Sequence, residues 1–271
     1  MNSRQFVFVL ASAIWASQAA FPQTCGNPAG TAGKGQTTVG LSGAYQTIGE
    51  AKQKFQSYRV FFKAMQGLAP WLDVYGLVGG TRVKIDPAAQ GIPSFQDRSR
   101  LAYGAGFNLL VNPSQSKRTG AARGRAGSAR QGSVGFWGGA NIIRYPAEAV
   151  YDISSATAVA HEFRMKHDFR EITGHAGILI PFGKLKLYVG GIGWAVQRLD
   201  KKSEYLLGIS DEPIHKGDAK ATYQSGLWTG GMSGLQVDLP RNYALTLEVI
   251  AFNKDYYQIT AGISQTGLRT W

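Results

Sequence analysis

The alternation of apolar and polar residues in the last part of the chain limits its possible folds more than any other feature. Two alternating runs, residues 243–252 and 256–267, flank the turn-forming residues 253–255. Successive side chains of a β-strand point to opposite faces, so each run predicts a strand with one apolar and one polar face. The apolar face carries Leu245, Leu247, Val249, Tyr257, Ile259, Ala261 and Ile263. The alternation alone leaves open whether this face meets lipid or a second sheet.

The same alternation recurs along the chain and predicts ten strands, whereas no stretch has a helical period of comparable quality. The predicted strands span residues 37–49, 56–68, 72–84, 101–111, 133–144, 162–180, 184–199, 221–237, 243–252 and 256–267. Short connections follow even-numbered strands at 69–71, 181–183 and 239–242. Long polar connections follow odd-numbered strands at 85–100, 145–161 and 200–220. This arrangement, with an even strand count, is typical of an outer-membrane β-barrel. Two connections depart from it, since the one after the ninth strand is short and the basic one after the fourth is long.

The first 20 residues have the features of a secretory signal peptide. Arg4 supplies a short positive segment, residues 6–16 form an apolar run, and small residues precede a predicted cleavage after Ala19 or Ala20. The apolar run is shorter than the about 20 residues that a membrane-spanning helix needs. No comparable run follows, so a mature chain that enters a membrane must do so as a closed barrel.

The remaining chain divides into a lead-in and one barrel domain. Residues 21–36 are rich in glycine, proline and small residues, and we predict a flexible lead-in there. Residues 37–271 form the predicted barrel. Cys25 is the only cysteine, which excludes an intramolecular disulfide. The stability of the chain must therefore come from a large closed structure.

The strands have glycine–aromatic segments, YGAGF at 103–107 and GFWGGAN at 135–141, and the chain ends in Trp271. With the signal peptide, these features resemble small bacterial outer-membrane β-barrel proteins of the OmpA-like and opacity-type class, over nearly the whole mature chain. The resemblance implies an all-β, antiparallel, up-and-down transmembrane barrel, with ten strands and eight as the alternative. It also implies that the barrel-assembly machinery recognises a terminal aromatic. Here residues 265, 267 and 269 are not the usual apolar series, so either the last strand ends near Gly267 or recognition tolerates the change.

Several charged residues are predicted to lie inside the barrel. The alternation directs Arg59, Lys63, Asp73 and Glu248 inward, and four further residues share one face of the sixth predicted strand: Arg164, Lys166, Asp168 and Arg170. Those four lie either in the lumen or in strand ends beyond the lipid. Unpartnered interior charges would cost several kcal/mol per ion, so acids and bases in the lumen should contact one another. We therefore expect a lumen filled by a charge network rather than an open pore.

Large aromatic residues are candidates for the girdles that flank the apolar band of membrane barrels. The candidates are Tyr58, Trp71, Tyr103, Trp194, Trp228 and Trp271. The alternative interpretation is that they are ordinary core aromatics.

The four histidines do not indicate a metal site. His161, His167 and His175 lie in one predicted strand at separations of about 20 and 27 Å, too far apart to share an ion. A barrel enzyme would need a histidine near an acid or serine at its rim. Two sets offer those residue types, namely Asp211, Glu212 and His215, and Asp152, Ser154, Ser155 and His161. No motif surrounds them, so we predict no catalytic residue, no metal and no cofactor.

The sharpest charge feature is a basic run at residues 117–130, which contains no acid. It lacks interleaved aromatic residues, so nucleic acid is not an expected partner. The strand count puts it on the periplasmic side, and a count wrong by one would put it at the lipopolysaccharide surface. The net charge of +12 suits contact with outer-membrane lipid and lipopolysaccharide. We expect a monomer.

Three functions remain open from the sequence. The favoured one is an outer-membrane barrel with a structural, surface-interaction or narrow-pore role. A barrel enzyme acting on surface lipid or peptide is the second, and a soluble exported lipocalin-like binder is the third.

Overall fold

The computed structural model describes residues 32–50, 53–87, 95–111, 134–154, 160–207, 214–224, 227–253 and 256–269. Its strands are β1 (Gln36–Glu50), β2 (Gln53–Ala69), β3 (Leu72–Pro87), β4 (Phe95–Gln96), β5 (Arg100–Val111), β6 (Gly135–Ser154), β7 (Ala160–Phe182), β8 (Leu185–Leu207), β9 (Ile214–Gln224), β10 (Trp228–Asp238), β11 (Tyr243–Asn253) and β12 (Tyr256–Arg269). One turn of 3-10 helix, Pro240–Asn242, joins β10 to β11. Within these residues, no helix is both long and apolar enough to cross a membrane.

The strands form a closed, antiparallel, up-and-down barrel of ten positions. Neighbours in sequence pair around the sheet, and β12 pairs with β1. The ring closes because β8 pairs with β10 along its first half and with β9 along its second half. Strands β9 and β10 therefore share one barrel position, and β4 is a two-residue addition to β3. The predicted fold and the count of ten are confirmed, and the eight-strand alternative is wrong.

Two of the predicted long loops are largely strand. Residues 145–161 and 200–220 were expected to be polar connections, but β6, β7 and β8 run for 20, 23 and 23 residues. The pairing of β6 with β7 continues without interruption from Gly135↔Leu179 to Ser154↔Ala160. A strand whose two faces both meet water has polar residues at every position, so its sequence shows no alternation of apolar and polar residues. Such a strand is not predicted from the sequence pattern. Strand β9 is such a case, since its described side chains are all exposed.

Most connections at one end of the barrel are tight. β2 and β3 join through residues 70–71, and β7 and β8 join through residues 183–184. Gly183 has a positive φ of 63°, a conformation that glycine adopts without steric cost. We call this the tight-turn end. The long strands β6 to β9 extend at the opposite end, which we call the extended end.

The outer wall carries a continuous apolar belt. Leu245, Leu247, Val249, Tyr257 and Ile259 are exposed, and Ala261 and Ile263 are partly exposed. Direct cross-strand pairing links one apolar row over seven consecutive strands: Val237, Leu245, Ile263, Leu41, Phe62, Val78 and Tyr103. No second sheet of the described chain covers this row, so the two-sheet sandwich is excluded for these residues.

Candidate functional site

The barrel interior is the candidate site, because it gathers the buried ionisable groups. Arg59, Lys63, Asp73 and Glu248 are all buried on the inner face. Each comes from a strand whose other parity forms the apolar belt, so alternation sends the charged residue inward. Arg59 pairs with an acid outside this set, whereas Lys63 lies near enough to Asp73 for their opposite charges to attract.

Arg59 makes the central interaction of the lumen with Glu171. Its Nη1 donates to Glu171 Oε2 at 2.8 Å, and its Nη2 donates to Glu171 Oε1. Strands β2 and β7 lie on nearly opposite sides of the ring, so this ion pair crosses the interior. A bidentate, charge-assisted pair fixes both side chains more firmly than a single hydrogen bond would.

Neutral groups complete the shell around this ion pair. Tyr145 donates its hydroxyl proton to Glu171, and its ring lies 4.5 Å from the Arg59 guanidinium carbon. Arg59 also donates to Gln46 Oε1 and, at 3.0 Å, to Ser57 Oγ. Such partners offset the cost of burying two charges. We call Arg59, Glu171, Tyr145, Gln46 and Ser57 the lumen network.

The other inward charges have separate partners. Lys63 Nζ lies 4.1 Å from the centre of the Tyr75 ring, a cation–π contact. Glu248 accepts hydrogen bonds from the hydroxyls of Tyr188 at 3.1 Å and Thr260 at 3.0 Å. The charge cluster expected from the sequence is thus divided into several local groups.

The last inward charge anchors the chain that precedes β1. Both carboxylate oxygens of Asp73 accept from the backbone N–H of Ala32 at 3.3 Å. Ala32 is itself buried, and Gly35 N–H donates to the Gly67 carbonyl at 2.9 Å. Residues 32–35 therefore enter the mouth of the barrel at the tight-turn end and occlude part of it.

Of the two positions left open for Arg164, Lys166, Asp168 and Arg170, the lumen is wrong. Their side chains lie on the outer face of β7, where Arg164, Lys166 and Arg170 are exposed. The inward parity of this strand carries His167, Phe169 and Glu171, which are buried. The sequence contains the signal for this parity, because Ile172 shares the parity of the four charged residues and is exposed in the belt.

The predicted position of two aromatic residues in the outer girdle is also wrong. Trp194 is fully buried in the lumen, and Trp228 packs against it with ring centres 4.8 Å apart. Both parities of β8 are apolar, so alternation did not separate inner from outer residues there. Trp71 and Tyr103 are exposed on the outer wall, and Tyr58 is partly exposed.

Several predictions concern residues that the structure does not describe. These are the signal peptide, the lead-in up to residue 31, the basic run 117–130, Ser155, Asp211, Glu212 and Trp271. The side chains of Asp152, Ser154 and His161 belong with them.

Large side chains fill the described lumen. Phe55, Phe61, Tyr145, Phe169 and Trp194 are part of one buried cluster, and Trp137, Tyr188 and Met232 are part of a second. A cavity beside the lumen network has a volume of only about 10 Å³ and is lined by Glu171, Asn141 and Thr173 among others. That volume admits roughly one water molecule.

Two histidine–carboxylate pairs lie at the extended end. His167 Nδ1 is 2.7 Å from Asp200 Oδ1, and Arg198 Nε donates to Asp200 Oδ2 at 3.0 Å. Burial alone would raise the pKa of Asp200, but the hydrogen bond and charge of His167, together with Arg198, lower it below the usual value. His215 Nε2 lies 2.9 Å from Asp218 Oδ1 on the exposed strand β9.

The His215–Asp218 pair does not have the order of a nucleophilic catalytic site. Ser203 hydrogen-bonds to Asp218, and this bond is the largest cause of the lowered pKa of Asp218. The imidazole in a serine-dependent triad lies between the nucleophile and the acid, whereas here Ser203 and His215 both contact the acid. Over the described residues, no group of three or more metal-ligating side chains is assembled.

Sequence reasoning missed the residues that complete the lumen network. Glu171 was overlooked because its strand was assigned the opposite parity. Tyr145 was placed in a loop, although residues 145–154 continue β6. Gln46 is a polar residue on the inner parity of β1, and the alternation there could have identified it.

Comparison with protein-family models gives no match. Comparison with curated proteins gives none either. Among solved structures, the translocator domain of the autotransporter NalP from Neisseria meningitidis is similar, with 10% identity, a TM-score of 0.45 and coverage of 97% of this chain and 95% of that one. The outer-membrane protease OmpT from Escherichia coli has 10% identity, a TM-score of 0.41 and coverage of 85% and 96%. The β domain of the Bordetella autotransporter BrkA has 10% identity, a TM-score of 0.39 and coverage of 86% and 99%. Because these TM-scores are all below 0.5, the description of the fold as a barrel is based on the strand pairing of this chain and not on these similarities.

Proposed function

We propose that this chain is an integral outer-membrane β-barrel that spans the membrane with a filled lumen and has a structural or surface-interaction role. The observation that carries the proposal is the apolar row across seven paired strands, which the described chain leaves uncovered. A contiguous apolar surface of this kind marks contact with a membrane or a partner. The inner face combines aromatic clusters with many buried polar and charged residues.

The filled interior favours a closed barrel over a pore. The lumen network joins nearly opposite walls, and buried aromatic rings occupy the levels above and below it. Ten strands give an interior only slightly larger than the eight-stranded size that side chains fill. Solute passage would require rearrangement of the bidentate Arg59–Glu171 pair.

The proposed orientation of the barrel in the membrane is based on the difference between the tight-turn end and the extended end. Membrane barrels have short periplasmic turns and longer extracellular segments. In the proposed orientation, the tight-turn end therefore faces the periplasm, and the extended end projects from the cell surface. A role in surface interaction is supported by the length of β6 to β9 beyond the belt.

Fractionation followed by bilayer recording tests the proposal. We expect the protein in the outer-membrane fraction, resistant to extraction by salt and high pH, and we expect no unitary conductance steps in a planar bilayer. Recovery in the soluble periplasm without detergent would contradict the membrane assignment. Sustained solute flux through reconstituted vesicles would contradict the filled lumen while leaving the membrane assignment intact.

A further inference from the structure

The outer face of β6 to β9 has a cationic surface immediately beyond the apolar belt. Ile142 and Ile172 are paired and exposed at the edge of the belt. The next outward-facing row toward the extended end pairs Arg144 with Arg170. Further along β7 in the same direction, Asp168 is four residues and Lys166 six residues from Ile172. The outer surface therefore changes from apolar to charged within one or two rows.

A row of three lysines lies across adjacent strands in this surface. Lys166 of β7 pairs directly with Lys201 of β8, and Lys201 pairs with Lys220 of β9. Directly opposed residues in antiparallel strands have Cβ atoms about 5 Å apart, and like charges there are destabilising. All three side chains are exposed. We call Arg144, Arg170, Lys166, Lys201 and Lys220 the cationic surface.

The acids in the vicinity do not neutralise this surface. Asp168 pairs with Arg144, its Oδ1 accepting from Arg144 Nε at 3.0 Å. Glu148 is shared between Arg100 at 2.8 Å and Lys166 at 3.5 Å. Among the ion pairs of the described residues none involves Lys201 or Arg170, and Lys220 feels the charge of Asp218, which is itself paired with His215 at 2.9 Å. The cationic surface thus retains an excess of positive charge after its local pairs are made.

A groove of about 470 Å³ opens on the same surface. Its basic walls are Arg100, Arg144, Lys166 and Lys201, and its apolar walls include Tyr103 and Leu199. The two acids that also line it, Glu148 and Asp168, are paired with Arg100 and Arg144. This combination suits a molecule that has both anionic and apolar parts. A small inorganic anion would leave the apolar walls uncovered.

The height of the groove matches the headgroup layer of a membrane that surrounds the belt. Lys166 is six residues from Ile172, which corresponds to about 20 Å along the strand at a rise of ~3.3 Å per residue. A strand tilt near 45° reduces this to roughly 14 Å in height. The Arg144–Arg170 row is much closer to the belt, so the cationic surface covers the level at which lipid phosphates lie.

From these observations we infer that the cationic surface on β6 to β9 binds the phosphate groups of an anionic lipid in the outer leaflet. The bound phosphates offset the repulsion within the lysine row, while Tyr103 and Leu199 contact the apolar part of the lipid. This inference rests on the proposed membrane barrel and assigns it a specific lipid site.

The test compares lipid A that carries its phosphates with dephosphorylated lipid A, using the full-length protein in detergent micelles. Native mass spectrometry measures the fraction of protein that retains each lipid, and inorganic phosphate serves as competitor. We expect preferential retention of the phosphorylated lipid. In Lys201→Gln with Lys220→Gln, the preference should fall by about fivefold for each lysine removed.

A matched control removes two lysines at the other end of the barrel. Lys34→Gln with Lys184→Gln makes the same change in net charge at exposed positions of the tight-turn end, and it should keep the wild-type preference. Equal retention of the two lipids by the wild type, or equal losses in both double variants, would overturn the inference. Complete displacement by inorganic phosphate would also overturn it, because the site would then bind free anions. Failure of the protein to insert into vesicles would instead refute the proposed function.

Discussion

Arg59 and Glu171 are buried charges whose burial is tolerable because they pair with each other and because neutral groups of the lumen network complete their hydrogen bonds. Removing one partner leaves the second charge buried without compensation, a change that costs about 3–5 kcal/mol in proteins. Removing both charges avoids that cost, although Tyr145 and Gln46 then lose an ionic partner. The two residues should therefore behave as a coupled pair.

Glu171→Leu should lower the free energy of unfolding by about 3–5 kcal/mol, because Arg59 stays buried without its acid. The double variant Arg59→Met with Glu171→Leu should recover most of that loss. Urea unfolding in lipid vesicles, followed by tryptophan fluorescence, measures both values. Additive losses in the double variant would show that the pair is not coupled.

Glycine also acts at the residue scale, by making room for an aromatic ring. A Cβ atom on Gly234 of β10 would lie only 2.4 Å from the ring of Tyr188, whose hydroxyl donates to Glu248. A Cβ atom on Gly231, in the same strand, would have no neighbour within 4 Å.

Gly234→Ala should therefore destabilise the barrel by about 1–3 kcal/mol, the usual effect of overpacking a filled interior. Gly231→Ala on the outer face is the matched control and should leave the unfolding free energy nearly unchanged. The same urea titration distinguishes the two variants. Equal stabilities would mean that Tyr188 and the backbone carbonyl of Leu247, 2.6 Å from the added Cβ atom, both move aside at no cost.

At the scale of elements, the sequence predicted the strands well where one face is apolar and poorly where neither face is. The β1–β2 and β11–β12 hairpins have such a face, and their predicted boundaries lie within a few residues of the observed ones. The extensions of β6 to β9 have polar residues on both faces, so no alternation marked them. The lumen network was only partly predictable, because Glu171 and Arg59 are 112 residues apart in sequence and meet only when the barrel closes.

The extended part of the β7–β8 hairpin is held in part by Asp200, whose pKa is lowered mainly through His167 and Arg198 despite the opposing effect of burial. A carboxyl with a lowered pKa in the folded state contributes stability above its unfolded value of 3.8. That contribution is lost as the pH falls through the lower, folded value.

We expect faster hydrogen exchange in residues 197–207 as the pH is lowered below about 4, after correction for the intrinsic rate. Asp200→Asn lacks the titrating group and should show weaker protection that changes little over this range. Mass spectrometry of deuterated peptides gives the readout. Parallel pH profiles in both proteins would exclude Asp200 as the cause.

At the scale of the whole molecule, the proposed function depends on whether lipid or water surrounds the apolar belt. Phe62 is 47% exposed in the middle of the apolar row. In water, a charged residue at such an exposed position would be nearly neutral for stability. In a bilayer, an arginine near the midplane of a barrel wall costs about 2–4 kcal/mol, falling to about 0–1 near the interface.

Phe62→Arg should therefore lower the unfolding free energy in lipid vesicles by about 2–4 kcal/mol. Gln197→Arg, which lies beside Arg170 beyond the belt, serves as the interfacial comparison and should cost less than about 1 kcal/mol. Similar small effects in both variants would place water, not hydrocarbon, against the row.

The strands β7 and β8 run from the belt to the extended end without a break in their pairing. Segments that project from a barrel as loops must be immobilised before they hold a partner, and that ordering weakens association. Here the described part of β7 and β8 beyond the belt continues the paired wall, so its orientation relative to the barrel axis is fixed. A partner that docked there would meet a pre-arranged surface, and a pulling force on it would be transmitted along the backbone hydrogen bonds into the barrel.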